Sequence, residues 1–228
     1  MILYDRQGTP NAARIRIVLA EKGLGAAVEY RTVDLIAAEQ KQPDFLAMNP
    51  IGKTPVLVLD DGLALSESGA ITEYLDNLDG NPVLTGRTAR EKALIHMMHR
   101  RVEIMLLEPI DDHFHYGTPG LGPALRLWRK PDWPGRHEWG LRRGAEARAA
   151  LPWFEKELAH HAFLSGERYS MADITLLAAI DFGRAMGSLP TDLTPHLAAW
   201  YGRMQDVPAV KERGGQDLLP EDISRMAG

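Results

Sequence analysis

The sequence predicts an α/β domain built on a mixed sheet, followed by an all-α domain. Up to Leu75, short β-rich runs alternate with helical periods in the order strand, helix, strand, helix, hairpin, helix. From Ala89 onward the strand signals stop, and apolar residues recur at helical spacing. Turn-forming residues separate the two patterns. We therefore expect one domain at 1–80, a linker at 81–88 and a second domain at 89–228.

The composition excludes several classes of function. The 228 residues can bury a core, and 26 basic against 31 acidic residues give a net charge of −5. Such a chain has no overall attraction for nucleic acid or for anionic membranes. It has no cysteine, so any thiol chemistry must use the sulfur of a small molecule. Met1 leads directly into a strand and no apolar run approaches the length of a membrane span, so we expect a soluble, cytoplasmic protein.

The first helix has clear start and stop signals. Thr9 is a good N-cap residue, Pro10 is favoured at the first helical position, and Gly23 ends the pattern. Other elements expected before residue 50 are a strand at 2–4, a strand at 28–33 and a short helix at 43–48.

Residues 49–75 predict a turn, a β-hairpin and a helix. Pro55 follows Thr54, and an X-Pro bond is the place where a cis peptide costs least. The hairpin strands are expected at 56–59 and 63–65, around an Asp-Asp-Gly turn. Residues 66–69 supply hydroxyls that would cap a helix. The apolar face of that helix is expected to hold Ala70, Ile71, Tyr74 and Leu75.

The second half predicts helices joined by a proline-rich loop. Ser170 and Asp173 form a variant capping box before a helix that is apolar on most sides, and this helix should therefore be central. The polar tail from Gly214 is expected to be loosely held. The remaining expectations are a long helix at 88–107 ending near Pro109, a loop at 117–138 with a helical piece at 124–128, a helix at 140–158 bent at Pro152, and a helix at 195–205.

Two motifs resemble the glutathione transferase family. The first is Asn-Pro before Gly52 and Lys53, followed by Thr-Pro-Val-Leu at 54–57 and by Glu-Ser opening a helix that ends Tyr-Leu at 74–75. The second, Tyr-Ser-Met-Ala-Asp-Ile at 169–174, is similar to the buried helix of the family's C-terminal domain. The resemblance implies a thioredoxin-like glutathione-binding domain, a helical domain carrying the second-substrate pocket, glutathione as substrate, and a homodimer.

The resemblance also implies roles in glutathione binding. A cis Pro55 after Thr54 would present the backbone of Val56 to the tripeptide. Ser68 and the helix end would favour one carboxylate of glutathione, Glu67 its ammonium, and Lys53 the other carboxylate. Without the resemblance, a turn proline, helix capping and a solvated lysine would explain these residues.

Thiol activation points to the start of the first helix. The pKa of a free thiol is about 8.5, and a hydrogen bond to thiolate together with a helix N-terminus can lower it. The position that carries the activating group in the family holds Thr9, with Asn11 as a second donor, and this arrangement looks like the bacterial Nu class. Tyr4 is a rival activator. Arg14 and Arg16 resemble the arginines of the Zeta class. The Ser-Ser-Cys expected in that class is absent, because Thr-Pro-Asn stands at positions 9–11.

The second substrate is expected between the domains, near His113, His115 and Tyr116. Two histidines at alternate positions beside aspartates do not share one helical face, so we expect no metal site. The nearby tryptophans, Trp128, Trp133 and Trp139, are expected to pack a loop.

The sequence leaves several functions open. The leading hypothesis is attack of glutathione thiolate on a hydrophobic electrophile, or on a peroxide or disulfide. Within enzymes, the alternatives are glutathione-dependent ether cleavage, dehalogenation or isomerisation. Outside enzymes, the alternative is a transferase-like interaction protein without catalysis. The absence of cysteine argues against reduction through a protein mixed disulfide.

Overall fold

The first domain is built on a four-stranded mixed sheet. The structure is a computed structural model that describes residues 1–121, 134–217, 219 and 222. The strands stand in the order β2-β1-β3-β4, with β1 parallel to β2 and antiparallel to β3. β4 pairs antiparallel with β3 and lies at an edge. Their bounds are β1 Ile2–Asp5, β2 Glu29–Thr32, β3 Val56–Val58 and β4 Ala64–Ser66.

Three helices accompany this sheet: α1 Pro10–Glu21, α2 Pro43–Met48 and α3 Ser68–Asn77. Single 3₁₀ turns lie at Gly25–Ala27 and Glu39–Lys41. Helix α1 buries Ile15, Val18 and Leu19 against the core, as the periodicity predicts.

One residue that was predicted to lie on the apolar face of α3 does not lie there. Ala70 is exposed, whereas Ile71 and Leu75 are fully buried. The buried face of α3 consists of Ile71 and Leu75 with the adjacent Thr72 and Asp76, so Ala70 falls outside it.

A long helical segment follows and continues past the proline that was expected to end it. It comprises α4 Ala89–Val102, a π-helical turn Glu103–Leu107, α5 Glu108–Asp112 and a second π-helical turn His113–Gly117. Pro109 has no N–H, and in a regular helix its ring would clash with the carbonyl four residues earlier. The wider π turn just before it gives the ring room, so the helix does not stop.

The helices after the proline-rich segment enclose the main core. They are α6 Arg136–Leu158, α7 Met171–Ala185, α8 Pro195–Asp206 and α9 Pro208–Glu212. Helix α6 starts earlier than expected and contains Pro152. The helical piece expected at 124–128, with Trp128 and Trp133, lies outside the described residues.

The capping box before α7 is confirmed, and the helix is central. The Asp173 carboxylate accepts hydrogen bonds from the Ser170 amide (3.0 Å), the Ser170 hydroxyl (3.0 Å), the Leu164 amide (2.9 Å) and the Trp200 indole (3.0 Å). This carboxylate is fully buried, and burial raises its pKa. Eleven residues of the helix are buried, so it lies at the centre of the main core.

The C-terminal tail from Gly214 was expected to be loosely held, but its described residues, 214–217, 219 and 222, dock on the first domain. The Arg6 guanidinium pairs with the Asp222 carboxylate, and both side chains are buried. The Gly8 amide also donates to the Gly215 carbonyl at 3.1 Å. Polar composition did not indicate this docking, because the contacts use a buried ion pair and backbone groups instead of apolar side chains.

Among the described residues, none of the helices combines the length and the apolar character needed to cross a membrane.

Candidate functional site

Two adjoining cavities lie between the sheet domain and the long helical segment that begins with α4. The smaller, of about 160 Å³, is lined by Ser68, Glu67 and Pro55 on one side and by Glu103 and Glu108 on the other. The larger encloses about 300 Å³. Five residues line both cavities: Pro10, Asn11, Lys53, Thr54 and Asp111. A ligand that occupies the smaller cavity would therefore meet a second ligand beside the N-terminus of α1.

Thr9 lies at the N-cap position of α1 but does not cap it with its side chain. Its hydroxyl donates to the Arg6 carbonyl at 2.7 Å, and its carbonyl accepts the first helical bond from the Ala13 amide at 3.0 Å. Thr9 lines only the larger cavity. Because its hydroxyl hydrogen is committed to Arg6, Thr9 can accept a hydrogen bond here but does not donate one into the cavities.

Asn11 lines both cavities and has a fixed orientation. The Arg14 guanidinium donates to its Oδ1 at 3.0 Å, and an arginine can only donate, so the oxygen of the amide must face it. Nδ2 then points away from Arg14, and it donates to no acceptor in the described part of the chain. The first-turn amides of α1 lie beside it without helical partners. Asn11 thus offers a hydrogen-bond donor at the positive end of a helix.

Arg14 is held by groups from the second domain. It donates to Glu103 at 3.1 Å and lies 3.4 Å from Nε2 of His99, while Nδ1 of His99 lies 3.0 Å from the Thr175 hydroxyl. Burial lowers the pKa of Arg14, although Glu103 opposes this. Burial alone would raise the pKa of Glu103, but its bonds and charge interactions with His99 and Arg14 outweigh burial and lower it to about 2. The Arg14–Glu103 pair is therefore ionised and bridges the domains.

The loop between α2 and β3 forms one wall of the smaller cavity. Nδ2 of Asn49 donates to the Lys53 carbonyl at 2.8 Å, and Oδ1 of Asn49 accepts from the Ile51 amide at 3.1 Å. Gly52 has φ +62°, and a Cβ there would lie 2.7 Å from the Gln40 carbonyl oxygen, so the turn requires glycine.

The peptide bond between Thr54 and Pro55 is cis. Thr54 lines both cavities and Pro55 the smaller one, whereas Val56 lines neither and its side chain is fully buried. Val56 lies opposite Tyr4 and Ser66 in the sheet.

The start of α3 supplies the opposite wall. Glu67 precedes it with φ +70°, an unusual conformation for a residue with a side chain, and Ser68 is the first helical residue and is buried. The hydroxyls around this start were expected to cap the helix, but none of the described side chains does so. The first helical bond runs from the Ile71 amide to the Glu67 carbonyl, so earlier amides remain free to bind an anion.

The larger cavity has apolar and polar walls. His115 lines it and lies 3.1 Å from Asp111, and Tyr116 lines it and meets the Trp139 ring edge-on at 5.3 Å. Its apolar residues are Leu35, Phe114, Leu121, Phe182 and Met186.

The structure holds His113 away from the cavity. Nδ1 of His113 lies 2.7 Å from the buried Ser188 hydroxyl, and its ring faces Gly144. Burial, followed by the charge of Arg148, lowers its pKa. Tyr4, the rival activator, also lines neither cavity, and its hydroxyl accepts a hydrogen bond from Arg31 at 3.1 Å.

Sequence reasoning missed the residues that complete the site from the second domain. Glu103, Glu108 and Asp111 line the smaller cavity from the long helical segment. No short motif marks them, because they reach the site through the packing of two domains. The Asn11–Arg14 bond did carry a signal, since residues three apart are neighbours on a helix.

Comparisons with known proteins show which family each domain resembles. Residues 1–77 match the family model described as "Glutathione S-transferase, N-terminal domain", and residues 142–208 match the corresponding C-terminal domain. Glutathione S-transferase 2 of Saccharomyces cerevisiae is 43% identical over 212 residues, covering 93% of this chain and 88% of that protein. The chain belongs to the glutathione S-transferase family.

Solved structures place this glutathione S-transferase family member in the same fold. The crystal structure of Gtt2 from Saccharomyces cerevisiae superposes with a TM-score of 0.85 at 43% identity, covering 93% of this chain and 99% of that one. A glutathione S-transferase domain-containing protein of Marinobacter aquaeolei VT8 gives a TM-score of 0.83 at 38% identity, covering 92% and 100%. The predicted fold class, a thioredoxin-like domain followed by an all-α domain, and the predicted family are confirmed.

Proposed function

We propose that the protein is a glutathione transferase that activates glutathione thiolate for attack on an apolar electrophile. The observation that carries the proposal is the junction of the two cavities at Asn11. A polar cavity that offers a helix N-terminus and carboxylates suits a zwitterionic tripeptide, and the larger cavity with aromatic walls suits an apolar substrate. Glutathione sulfur would lie between them.

In the smaller cavity, the binding roles follow from charge. Ser68 and the free amides of α3 bind one carboxylate of glutathione, and Glu67 faces the ammonium beside it. Lys53 binds the other carboxylate of glutathione. Its side chain is 63% exposed, and its Nζ lies 3.6 Å from Oδ2 of Asp111. Thr54 and Pro55 form the wall along the tripeptide. Val56 lines neither cavity, so the expected contact of its backbone with the tripeptide is not part of this wall.

In the activation step, Asn11 is the principal donor to the thiolate. Its Nδ2 has no other acceptor in the described part of the chain, and the α1 amides add the field of a helix N-terminus. A hydrogen bond to a charged group contributes about 1.5–3 kcal/mol, enough to lower a thiol pKa by about one to two units. Thr9 shapes the loop through its hydrogen bond to the Arg6 carbonyl and contributes less than Asn11 to stabilising the thiolate.

The second substrate lies against His115, Tyr116 and the aromatic wall of Phe114 and Phe182. A hydrophobic electrophile or an organic peroxide fits this lining. His113 has no part in this pocket, because Ser188 and α6 hold it outside.

We further propose a homodimer. Apolar side chains exposed on the surface support it, since large exposed apolar groups in a folded chain favour association. Met97 and Ile104, 42% and 49% exposed, lie seven residues apart on the long helical segment, and Leu63 is 55% exposed at the hairpin turn.

The test is calorimetric titration of the purified protein with glutathione, followed by conjugation assays with an aryl halide. The proposal expects binding together with a thiolate absorbance band whose pKa lies below the free value of about 8.5. Absence of binding at millimolar glutathione would overturn the proposal and favour the interaction-protein alternative.

A further inference from the structure

The described part of the C-terminal tail lies against the loop that leads into α1. The tail is defined here as Gly214–Asp217 with Leu219 and Asp222, and the loop as Arg6–Thr9. Two of the loop residues, Gly8 and Thr9, line the larger cavity. The tail does not itself line either cavity. Any effect of the tail on the site must therefore pass through the loop.

A buried ion pair makes the strongest connection. Nε of Arg6 donates to Oδ2 of Asp222 at 2.7 Å, and its Nη2 donates to Oδ1 of the same carboxylate. Arg6 is 6% exposed and Asp222 is 4% exposed. A two-point bond between buried charges fixes direction as well as distance.

Hydrogen bonds to backbone carbonyls of the tail continue the connection along the loop. The Gly8 amide donates to the Gly215 carbonyl at 3.1 Å, and the Gln7 side-chain amide donates to the Asp217 carbonyl at 3.1 Å. Each of three successive loop residues, from Arg6 to Gly8, is thus bonded to the tail.

The tail also rests on a second, partly buried ion pair. Arg16 holds the Asp5 carboxylate with bonds of 2.7 and 3.0 Å, and Gly215 lies directly on the Arg16 guanidinium, with no room for a Cβ. Asp5 is the last residue of β1, and Arg16 belongs to α1. The tail therefore spans the end of the strand and the first turns of the helix.

Arg6 joins the tail to the activating groups. Its side chain binds the tail, while its carbonyl accepts the Thr9 hydroxyl at 2.7 Å and the Thr9 amide at 3.4 Å. Thr9 immediately precedes Pro10 and Asn11, so the direction of α1 at its start depends on this loop.

We propose that the tail is a positioning element for thiol activation, with Arg6 and Asp222 as its positioning residues. The inference rests on the proposed function. The ion pair holds the loop so that Asn11 and the first amides of α1 meet the glutathione sulfur. Loosening the loop weakens the bond to thiolate, because hydrogen bonds lose strength steeply with distance and angle.

Glutathione affinity distinguishes positioning from a general loss of structure. The carboxylate-binding groups lie on α3 and none of the tail bonds described above reaches α3. Release of the tail should therefore leave the dissociation constant for glutathione nearly unchanged at a pH below the bound-thiol pKa, where glutathione binds as the thiol. Above that pKa the affinity falls as the bound-thiol pKa rises, because the two quantities are linked. The pKa of the bound thiol, in contrast, depends on the start of α1 and should rise.

The experiment compares full-length wild type with Asp222→Asn and Arg6→Lys. The matched control is Asp206→Asn, the same chemical change in a pair with Lys211, where the Asp206 side chain is 81% exposed. Circular dichroism establishes folding. The ultraviolet absorbance of bound thiolate against pH gives the thiol pKa, calorimetry gives the dissociation constant, and conjugation assays give kcat.

We expect Asp222→Asn to raise the bound-thiol pKa by about half a unit to one unit and to lower kcat near neutral pH about three- to tenfold. Arg6→Lys keeps the charge but loses the two-point bond, so it should give a smaller rise, and the control should match wild type. If Asp222→Asn does not fold, Arg6→Lys decides the question.

A bound-thiol pKa equal to wild type in the folded variants would overturn the inference, and so would an equal shift in the control. A loss of glutathione affinity at a pH below the bound-thiol pKa would also overturn it, since that would show a structural role. If wild type itself gives no thiolate band with glutathione, the proposed function fails instead, so the two failures are distinguishable.

Discussion

At the scale of single residues, Thr9 and Asn11 differ in whether their side-chain hydrogen-bond donors already have an acceptor in the protein. The Thr9 hydroxyl donates to Arg6, whereas Nδ2 of Asn11 is directed away from Arg14 and donates to no described protein acceptor. A thiolate needs donors, and only Asn11 supplies one without breaking an existing bond. Both residues can be named from the sequence, but their ranking depends on bonds that no local pattern encodes.

This difference predicts unequal effects of two substitutions. Asn11→Ala should raise the pKa of the bound thiol by about one unit and lower kcat/KM near neutral pH about tenfold, because it removes a hydrogen bond to a charged group. Thr9→Val should change both quantities less. Titration of thiolate absorbance in the glutathione complexes measures the effect.

Thr9→Ser is the control, because it keeps the hydroxyl that donates to Arg6. If Thr9→Val shifted the thiol pKa more than Asn11→Ala, Thr9 would be the donor and the assignment above would be reversed.

At the scale of elements, helix α3 begins in a way that ordinary capping does not explain. Its start has the serines typical of a cap, but within the described part of the chain no side chain accepts from its first-turn amides. Ser68 is buried at the wall of the smaller cavity. The helix end is thus left open for an anionic ligand.

We therefore predict that Ser68→Ala weakens glutathione binding by about 10- to 100-fold, the loss of a hydrogen bond to a charged group, with little change in stability. The control is Thr88→Ala, since the Thr88 hydroxyl does cap a helix, accepting from the Glu91 amide at 3.2 Å. That variant should lower the free energy of unfolding by about 0.5–2 kcal/mol without changing glutathione affinity. Calorimetry and denaturant unfolding separate the two, and equal glutathione affinity in Ser68→Ala and wild type would remove Ser68 from the site.

Elements were predictable from the sequence where their signal is local. The capping box of Ser170 and Asp173 lies within four residues, and helix α2 has the bounds that its sequence predicts. The π-helical turns around Pro109 were not predictable, because they depend on how a long helix accommodates a proline while it packs against α6.

The two histidines near the second-substrate pocket show the same limit. His113 and His115 are two residues apart in a helical segment, so they point to different sides. The sequence places both near the pocket, but only the packing of α6 and Ser188 shows that His113 faces away from it.

At the scale of the whole molecule, the two domains meet through a buried ion pair next to the site. Arg14 of α1 is 5% exposed at its side chain, and Glu103 of the long helical segment is 21% exposed. Neither residue has a motif that identifies its partner 89 positions away, so sequence reasoning could not find this bridge. The pair holds Asn11 in orientation and joins the domains, and domain association and thiol activation therefore depend on the same contact.

This bridge makes stability depend on pH in a definite direction. Although burial would raise it, hydrogen bonds and charge interactions with His99 and then with Arg14 lower the pKa of Glu103 in the folded protein from 4.5 to about 2. A lowered carboxyl pKa stabilises the folded state fully above the unfolded pKa, and the contribution is lost as pH falls through 4.5 toward 2. The shift corresponds to about 3 kcal/mol at neutral pH and to about half of that at pH near 3.

We predict that Glu103→Gln lowers the free energy of unfolding by about 3 kcal/mol at pH near 6 and by about half as much at pH near 3, so that the gap from wild type narrows on acidification. Denaturant unfolding at the two pH values measures it. Glu146→Gln is the control, because the Glu146 side chain is 42% exposed and its partner Arg142 is 79% exposed, and exposed pairs contribute little; its other partner, Arg143, is 20% exposed. A gap of equal size at both pH values would mean that the folded protein does not hold Glu103 as a carboxylate, and the bridge to Arg14 would then be a contact without ionic stabilisation.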